Sequence, residues 1–137
     1  MAKIIIVDAS VVYKWLIDEP GEETKRARKL RDRYSLGELE LLVPNLLYIE
    51  IGNILTWKPY LTTSDLHEAW SLLLSYKLPV APIDAQYIEN AMDVARMYSI
   101  SLYDSLYVTL AQLKQGEMIT ADKKLVRAVN KSFVQLL

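Results

Sequence analysis

Four carboxylates of this sequence stand beside or within apolar stretches, where acidic side chains are uncommon. Asp8 directly follows the run IIIV, and Asp122 directly follows MITA. Glu50 lies inside LLYIEIGNIL, and Asp104 lies inside ISLYDSLYV. A carboxylate in such a setting is seldom buried without a partner. These four residues are therefore the first candidates for a functional site.

Carboxylates that converge in one pocket repel each other, and a divalent cation relieves the repulsion. The sequence has no cysteine and a single histidine, so oxygen would have to bind the metal. Oxygen ligands suit a hard ion such as Mg²⁺ or Mn²⁺. Such an ion typically serves phosphate chemistry, because it neutralises phosphate, lowers the pKa of a water molecule and orients in-line attack. We therefore predict a catalytic metal site made of Asp8, Glu50, Asp104 and Asp122.

Each of these acids also has a purely structural explanation, which the sequence leaves open. Asp8 and Asp122 would both be suitable N-caps for a following helix. Ser101 and Asp104 have the spacing of a capping box, in which the acid binds back to the start of its helix. Glu50 could lie half-exposed at the edge of an apolar helix stripe.

Three polar residues lie within three positions of these acids in the sequence: Ser10, Asn53 and Thr120. Their side chains could support the carboxylates or bind a substrate as auxiliary groups. Ordinary capping, strand-end or surface roles are the alternatives for all three.

The elements that must position the acids alternate between strands and helices. Apolar and β-branched runs predict strands at 4–7, 41–43, 80–83, 118–120 and 133–136. Amphipathic spacing, caps and breaks predict helices at 9–17, 22–34, 44–57, 64–76, 102–113 and 122–130, and one capped by Asp84. This alternation predicts an α/β fold with a central parallel sheet of about four to five strands and helices on both faces. Such sheets place their sites at the carboxyl ends of strands, where Asp8 and Asp122 are expected.

Composition narrows the class of protein further. The 137 residues, of which 52% are hydrophobic, predict one folded domain that spans 1–137. A net charge of −1 argues against a protein that coats nucleic acid by bulk charge alone. The run IIIV is too short for a signal peptide or a membrane span. We therefore expect a cytoplasmic protein that does not associate with membranes.

Four short motifs in this order resemble those of the PIN domain family. IIIVDAS, which contains Asp8, resembles the opening motif, and EIGNIL, which begins at Glu50, resembles the second. LYDSLYVTLA, around Asp104, resembles the third, and MITADKKL, around Asp122, resembles the fourth. Each motif is short and degenerate, but four in the right order across residues 3–137 are specific. The length is similar to that of the single-domain VapC-type toxins.

The resemblance implies a metal-dependent ribonuclease that uses Mg²⁺ or Mn²⁺ and acts as the toxin of a toxin–antitoxin pair. It also implies a homodimer that a small VapB-type antitoxin inhibits. The family's acidic positions correspond to Asp8, Glu50, Asp104 and Asp122. Its auxiliary polar positions correspond to Ser10, Asn53 and Thr120.

Two basic clusters bear on RNA binding. Lys123, Lys124 and Arg127 follow the last motif acid closely, so they would hold the RNA backbone near the ion. Another six of the 16 basic residues lie at positions 25–33, where a solvated helix face is the simpler explanation.

Two alternatives to a ribonuclease remain open from the sequence. The first is a catalytically silent PIN-like module that binds RNA or a protein. The second is a phosphorelay receiver, which also begins with an apolar strand that ends in an acid. A receiver usually carries paired acids at that point, whereas Ala9 follows Asp8 here.

Overall fold

The computed structural model describes residues 3–137, which form a five-stranded parallel sheet and seven helices. The strands are β1 (Ile4–Val7), β2 (Glu40–Pro44), β3 (Val80–Ala81), β4 (Glu117–Thr120) and β5 (Val134–Leu136). The helices are α1 (Ala9–Leu16), α2 (Glu22–Ser35), α3 (Leu46–Thr56), α4 (Thr63–Ser75), α5 (Ala85–Tyr98), α6 (Leu102–Leu113) and α7 (Lys123–Val129). The predicted α/β fold class is therefore confirmed.

The sheet has the strand order β3-β2-β1-β4-β5, and every neighbouring pair is parallel. The phosphorelay receiver fold has the order 2-1-3-4-5 instead. The observed order therefore excludes the receiver alternative.

The central strand β1 is buried on both faces, as its unbroken apolar run predicts. Ile5 and Val7 pack into a core that is built mainly with α1, α2, α3 and α4. Ile6, which points to the opposite face, packs into a second core built mainly with α5, α6 and α7. The helices therefore cover both faces of the sheet.

Two predicted boundaries were wrong by two residues, and each lies at a proline. Pro44 was expected to open a helix, but it ends β2, and α3 begins at Leu46. The predicted strand at 80–83 is only two residues long, because Pro82 has no backbone N–H to continue the ladder.

The pairing of β1 with β4 sets the position of two acids. Val7 is paired in register with Ile119, so the two strands end side by side. We call this border of the sheet, where the strands have their carboxyl ends, the carboxyl edge. Asp8 and Asp122 both follow at this edge.

Among the described residues, no helix is both long enough and apolar enough to cross a membrane.

Candidate active site

Asp8 lies at the carboxyl edge, between β1 and α1, and its residue is only 8% exposed. It caps α1, because its Oδ1 accepts a hydrogen bond from the backbone N–H of Ser10 at 3.1 Å. The carboxylate also accepts hydroxyl protons from Ser10 at 2.5 Å and from Thr120 at 2.6 Å. Capping therefore explains only one of the three hydrogen bonds to Asp8.

The hydroxyl groups of Ser10 and Thr120 join the ends of β1 and β4. Each hydroxyl has a single proton, and each donates it to Asp8. Ser10 Oγ accepts the backbone N–H of Ala121 at 2.9 Å, and Thr120 Oγ1 accepts that of Asp122 at 3.1 Å. The 3.3 Å contact between the two hydroxyl oxygens adds little, since both protons are already used. The network holds the Asp8 side chain against the backbone that leads into Asp122.

Glu50 is half-buried on α3 and reaches across to α6. Its Oε1 accepts the hydroxyl proton of Tyr107 at 2.5 Å, and Tyr107 is only 1% exposed. Tyr107 is not among the site residues that the sequence predicts. The one available signal was its position three residues after Asp104, on the same side of α6. The hydrogen bond orients the Glu50 carboxylate from a buried and therefore well-fixed donor.

Asp104 and Asp122 each retain carboxylate oxygens that form no hydrogen bond within residues 3–137. The capping box predicted for α6 is half formed: Ser101 Oγ accepts the backbone N–H of Asp104 at 3.0 Å, but the carboxylate of Asp104 does not bind back. Asp122 caps α7 through Oδ1, which accepts the N–H groups of Lys124 at 3.0 Å and Leu125 at 3.1 Å. Its Oδ2 is left over. Both acids line one cavity at the starts of α6 and α7.

The four carboxylates influence one another electrostatically. Burial is the main cause that raises the pKa of Asp8; the hydrogen bonds from Ser10 and Thr120 oppose the rise, and the negative charge of Asp104 adds to it. Burial likewise raises the pKa of Glu50 most, against the hydrogen bond from Tyr107. The charges of Asp8 and Asp104 then raise it further.

Asp104 connects the fourth acid to this group. Burial raises the pKa of Asp104 most, the charge of Asp122 raises it as well, and the hydrogen bond with Ser101 opposes the rise. Each predicted site acid therefore either acts electrostatically on another of the four or is acted on by one. The structure thus brings the four motifs to one region of the molecule, while the catalytic and metal-binding roles of these acids stay a prediction.

The donor set fits a hard divalent cation in chemistry. None of the four acids forms an ion pair with a basic side chain in the described part of the chain. Their repulsion is thus left uncompensated by the protein, and an Mg²⁺-like ion would relieve it. Among residues 3–137, no group of three or more acidic or histidine side chains is drawn together closely enough to hold a metal ion. Binding of an ion would therefore have to draw the carboxylates closer together.

The remaining predicted residues lie on the surface. Asn53 is exposed on α3 and makes no hydrogen bond within residues 3–137, so its auxiliary role stays a prediction. Lys123, Lys124 and Arg127 are exposed on α7 and form no ion pair within the same range. Their side chains are free to contact a polyanion.

The basic cluster of α2 is arranged differently. Four of its cations pair with neighbouring acids: Lys25 with Glu22, Arg28 with Asp18, Arg31 with Asp32, and Arg33 with Glu38. Local neutralisation of this kind agrees with the solvated helix face that the sequence favours.

A family model for the PIN domain matches residues 5–131. No curated protein matches the chain by sequence. Among solved structures, PAE2754 from Pyrobaculum aerophilum is similar with a TM-score of 0.69 and 22% identity, over 99% of this chain and 90% of that one. VapBC2 from Rickettsia felis, bound to a DNA fragment from its promoter, gives 0.68 and 10% identity, over 98% of both chains. VapC20 from Mycobacterium tuberculosis, a toxin that cleaves the sarcin–ricin loop, is similar with a TM-score of 0.67 and 15% identity, over 90% of this chain and 94% of that one. At these identities the similarity establishes the fold.

Proposed function

The chain belongs to the PIN domain family, and from that membership we propose that it is an endoribonuclease that hydrolyses RNA phosphodiester bonds with Mg²⁺ or Mn²⁺. One observation carries the proposal: at one side of the sheet the negative charges of neighbouring acids add to the raised pKa values of Asp8, Glu50 and Asp104, and the charge of Asp122 is among them. No basic side chain within residues 3–137 compensates them by an ion pair. Carboxylates that repel one another without compensation by the protein are expected where they serve to bind a cation.

The proposed roles follow from the contacts of each residue. Asp8, Glu50, Asp104 and Asp122 would hold the ion, directly or through water. When bound, the ion supplies neutralisation of the phosphate and a water molecule of lowered pKa. Two of the acids are held by other side chains: Ser10 and Thr120 fix Asp8, and Tyr107 fixes Glu50.

The substrate would approach over α7. Lys123, Lys124 and Arg127 are exposed beside Asp122, so they would bind the RNA backbone near the reacting phosphate. Asn53, one helical turn from Glu50, would contact the substrate or a carboxylate as an auxiliary group.

The biological role that we propose is that of a VapC-type toxin. The fold is shared with chains of toxin–antitoxin structures, among them the VapBC2 complex and a toxin–antitoxin complex from Klebsiella pneumoniae. We accordingly propose a small VapB-type antitoxin as the inhibitor, a homodimer as the assembled form, and residues 1–137 as a single domain.

Substitution of Asp8 tests the catalytic proposal. We expect Asp8→Asn to lower Mg²⁺- or Mn²⁺-dependent cleavage of single-stranded RNA by at least about 100-fold, the upper range for disturbing a metal site's supporting contacts. Asp93→Asn is the matched control, because Asp93 is an exposed acid on α5 that belongs to none of the four motifs and forms no ion pair within residues 3–137. Its cleavage rate should equal that of the wild type.

The same pair of variants distinguishes a nuclease from the catalytically silent module. A metal site stabilises the fold by linkage, so added Mn²⁺ should raise the melting temperature of the wild type and of Asp93→Asn more than that of Asp8→Asn. A wild type that neither cleaves RNA nor gains stability from either ion would show that the silent module is the correct description.

A further inference from the structure

A cavity between the starts of α6 and α7 extends beyond the proposed metal-binding acids, and the rest of its lining has no role in the function proposed so far. Its volume is about 240 Å³. Pockets for drug-sized ligands typically measure about 300–1,000 Å³, so this one fits a single small ring system. Two of the acids, Asp104 and Asp122, lie on its wall. A group held in the cavity would therefore lie next to the proposed catalytic site.

The wall of the cavity is mixed in chemistry. Ile100, Leu125 and Ala128 contribute apolar surface, and Leu125 is buried in the second core. Ser99 and Ser101 contribute hydroxyl groups from the turn between α5 and α6. Apolar walls with a few converging polar groups are the usual composition of a small-molecule pocket.

The hydroxyl groups can both donate and accept hydrogen bonds. Ser101 Oγ accepts the backbone N–H of Asp104, and its proton serves the Asp104 carboxylate, so a second lone pair of Oγ remains to accept a hydrogen bond from a ligand. Ser99 ends α5 in the left-handed conformation, with φ of 55°. Its side chain makes no hydrogen bond within residues 3–137, so it too is free for a ligand.

The charges around the cavity argue against a charged organic occupant. Asp104 and Asp122 disfavour an anion such as phosphate, and an arginine side chain would compete for these acids with the metal ion that they are proposed to hold. An uncharged planar group with donors and acceptors along its edge satisfies both conditions. An unpaired nucleobase is such a group, and proteins bind single-stranded RNA through bases of this kind.

We propose that this cavity receives one unpaired base of the RNA, beside the phosphodiester bond that the acids cleave. This inference rests on the proposed function, which supplies the RNA. The cavity would thus determine which nucleotide lies next to the cleaved bond, with Ser99 and Ser101 contacting the edge of the base.

Filling the cavity tests the inference. A helical side chain covers the turn before its own position, so a phenylalanine at position 128 would lie over Lys124 and Leu125 and occupy the cavity. Ala128 is exposed, so the substitution leaves the core intact. Ala128→Leu fills the space less completely. Gln112→Phe is the control, because it adds the same ring at an exposed position near the other end of α6.

The measurement is binding of two labelled hexanucleotides in an Asp8→Asn background. One is RNA of random sequence, and the other has the same length and backbone but no bases. A base bound by stacking and edge contacts contributes about 1–3 kcal/mol, or about 5- to 150-fold in affinity. We expect Ala128→Phe to weaken binding of the RNA within that range, Ala128→Leu to weaken it less, and Gln112→Phe to leave it unchanged. The base-free oligomer should bind equally to all four proteins.

Two results would overturn the inference. One is that Ala128→Phe weakens the binding of both oligomers equally, which would mean that the ring blocks the path of the RNA backbone. The other is unchanged binding of both oligomers, which would mean that the cavity serves another occupant, such as a protein side chain. Neither result depends on cleavage, so failure of the pocket and failure of the proposed nuclease activity are separate outcomes.

Discussion

At the scale of the residue, the site depends on how hydroxyl protons are shared. Thr120 is fully buried, and its one hydroxyl donates to Asp8 while accepting the backbone N–H of Asp122. Thr109 is also a buried threonine, but its hydroxyl has no hydrogen-bond partner in the described part of the chain. The two residues therefore offer a comparison of the same side chain with and without partners.

Replacing each threonine by valine should separate these situations. Thr120→Val leaves a buried acceptor and a backbone N–H without their partner, so we expect the free energy of unfolding to fall by about 1–3 kcal/mol. Thr109→Val removes only an unpaired polar group, so we expect no loss of stability or a small gain. Urea denaturation of both variants checks this, and an equal loss in the two would contradict the role assigned to Thr120.

At the scale of the elements, α1 and α3 must keep a fixed relation, because one follows Asp8 and the other carries Glu50. Glu19, just beyond α1, is bound by the segment that follows α3. Its carboxylate pairs with Lys58 at 3.1 Å and accepts the hydroxyl proton of Tyr60 at 2.8 Å. The hydrogen bonds from Tyr60 and then Lys58 are the main causes that lower the pKa of Glu19. The contact therefore favours the charged carboxylate in the folded state.

The lowered pKa of Glu19 makes the stability of the fold depend on pH. A carboxylate whose pKa is lower in the folded state stabilises the fold above its ordinary value, here 4.5. The stabilisation is lost as the pH falls below 4.5 through the lowered pKa. Glu19→Gln should thus be less stable than the wild type at pH 7, by at most about 1 kcal/mol for a solvent-screened pair, and the difference should shrink by pH 4.

Urea denaturation at the two pH values measures the effect of Glu19→Gln. Glu68→Gln serves as the control, because Glu68 is exposed on α4 and forms no ion pair with residues 3–137. A difference between wild type and Glu19→Gln that stays constant from pH 7 to pH 4 would argue that charge plays no part in this contact.

At the scale of the whole molecule, the net charge of −1 conceals an uneven distribution. The sequence after Asp122 contains four basic residues and no acid, whereas four cations of α2 are paired with acids nearby. A cation that already pairs with an acid is partly neutralised, so it contributes less to the binding of a phosphate backbone than an unpaired cation does. The α7 side of the molecule is therefore the expected side for RNA, although the two basic clusters look similar in sequence.

The salt dependence of RNA binding tests this asymmetry. Each phosphate contact on a single strand contributes about 0.7 to the slope of log K against log salt concentration. We therefore expect the double variant Lys123→Ala/Arg127→Ala, which removes two such contacts, to reduce the magnitude of this slope by about 1.4. The double variant Lys25→Ala/Arg33→Ala removes the same number of charges from α2 and should leave the slope unchanged. Equal slopes for the two variants would mean that RNA does not distinguish these surfaces.

Much of the fold and of the candidate site could be predicted from the sequence, because the signals for both are local. Alternating apolar runs and helix caps predict the α/β fold, since a strand or a helix depends on residues only a few positions apart. Asp8 and Asp122 stand out because each acid directly follows an apolar run. Glu50 and Asp104 stand out because each interrupts one.

What only the tertiary structure decided is which atoms meet across the chain. Tyr107 donates to Glu50 from 57 positions away, and Thr120 donates to Asp8 from 112 positions away. The cavity beside Asp104 likewise exists only because the starts of α6 and α7 come together. Residue spacing reveals contacts within one helix or strand, but contacts between elements are set by how the cores pack on the two faces of the sheet. The sequence therefore determined which acids stand out from their apolar surroundings, and the packing determined which side chains hold them.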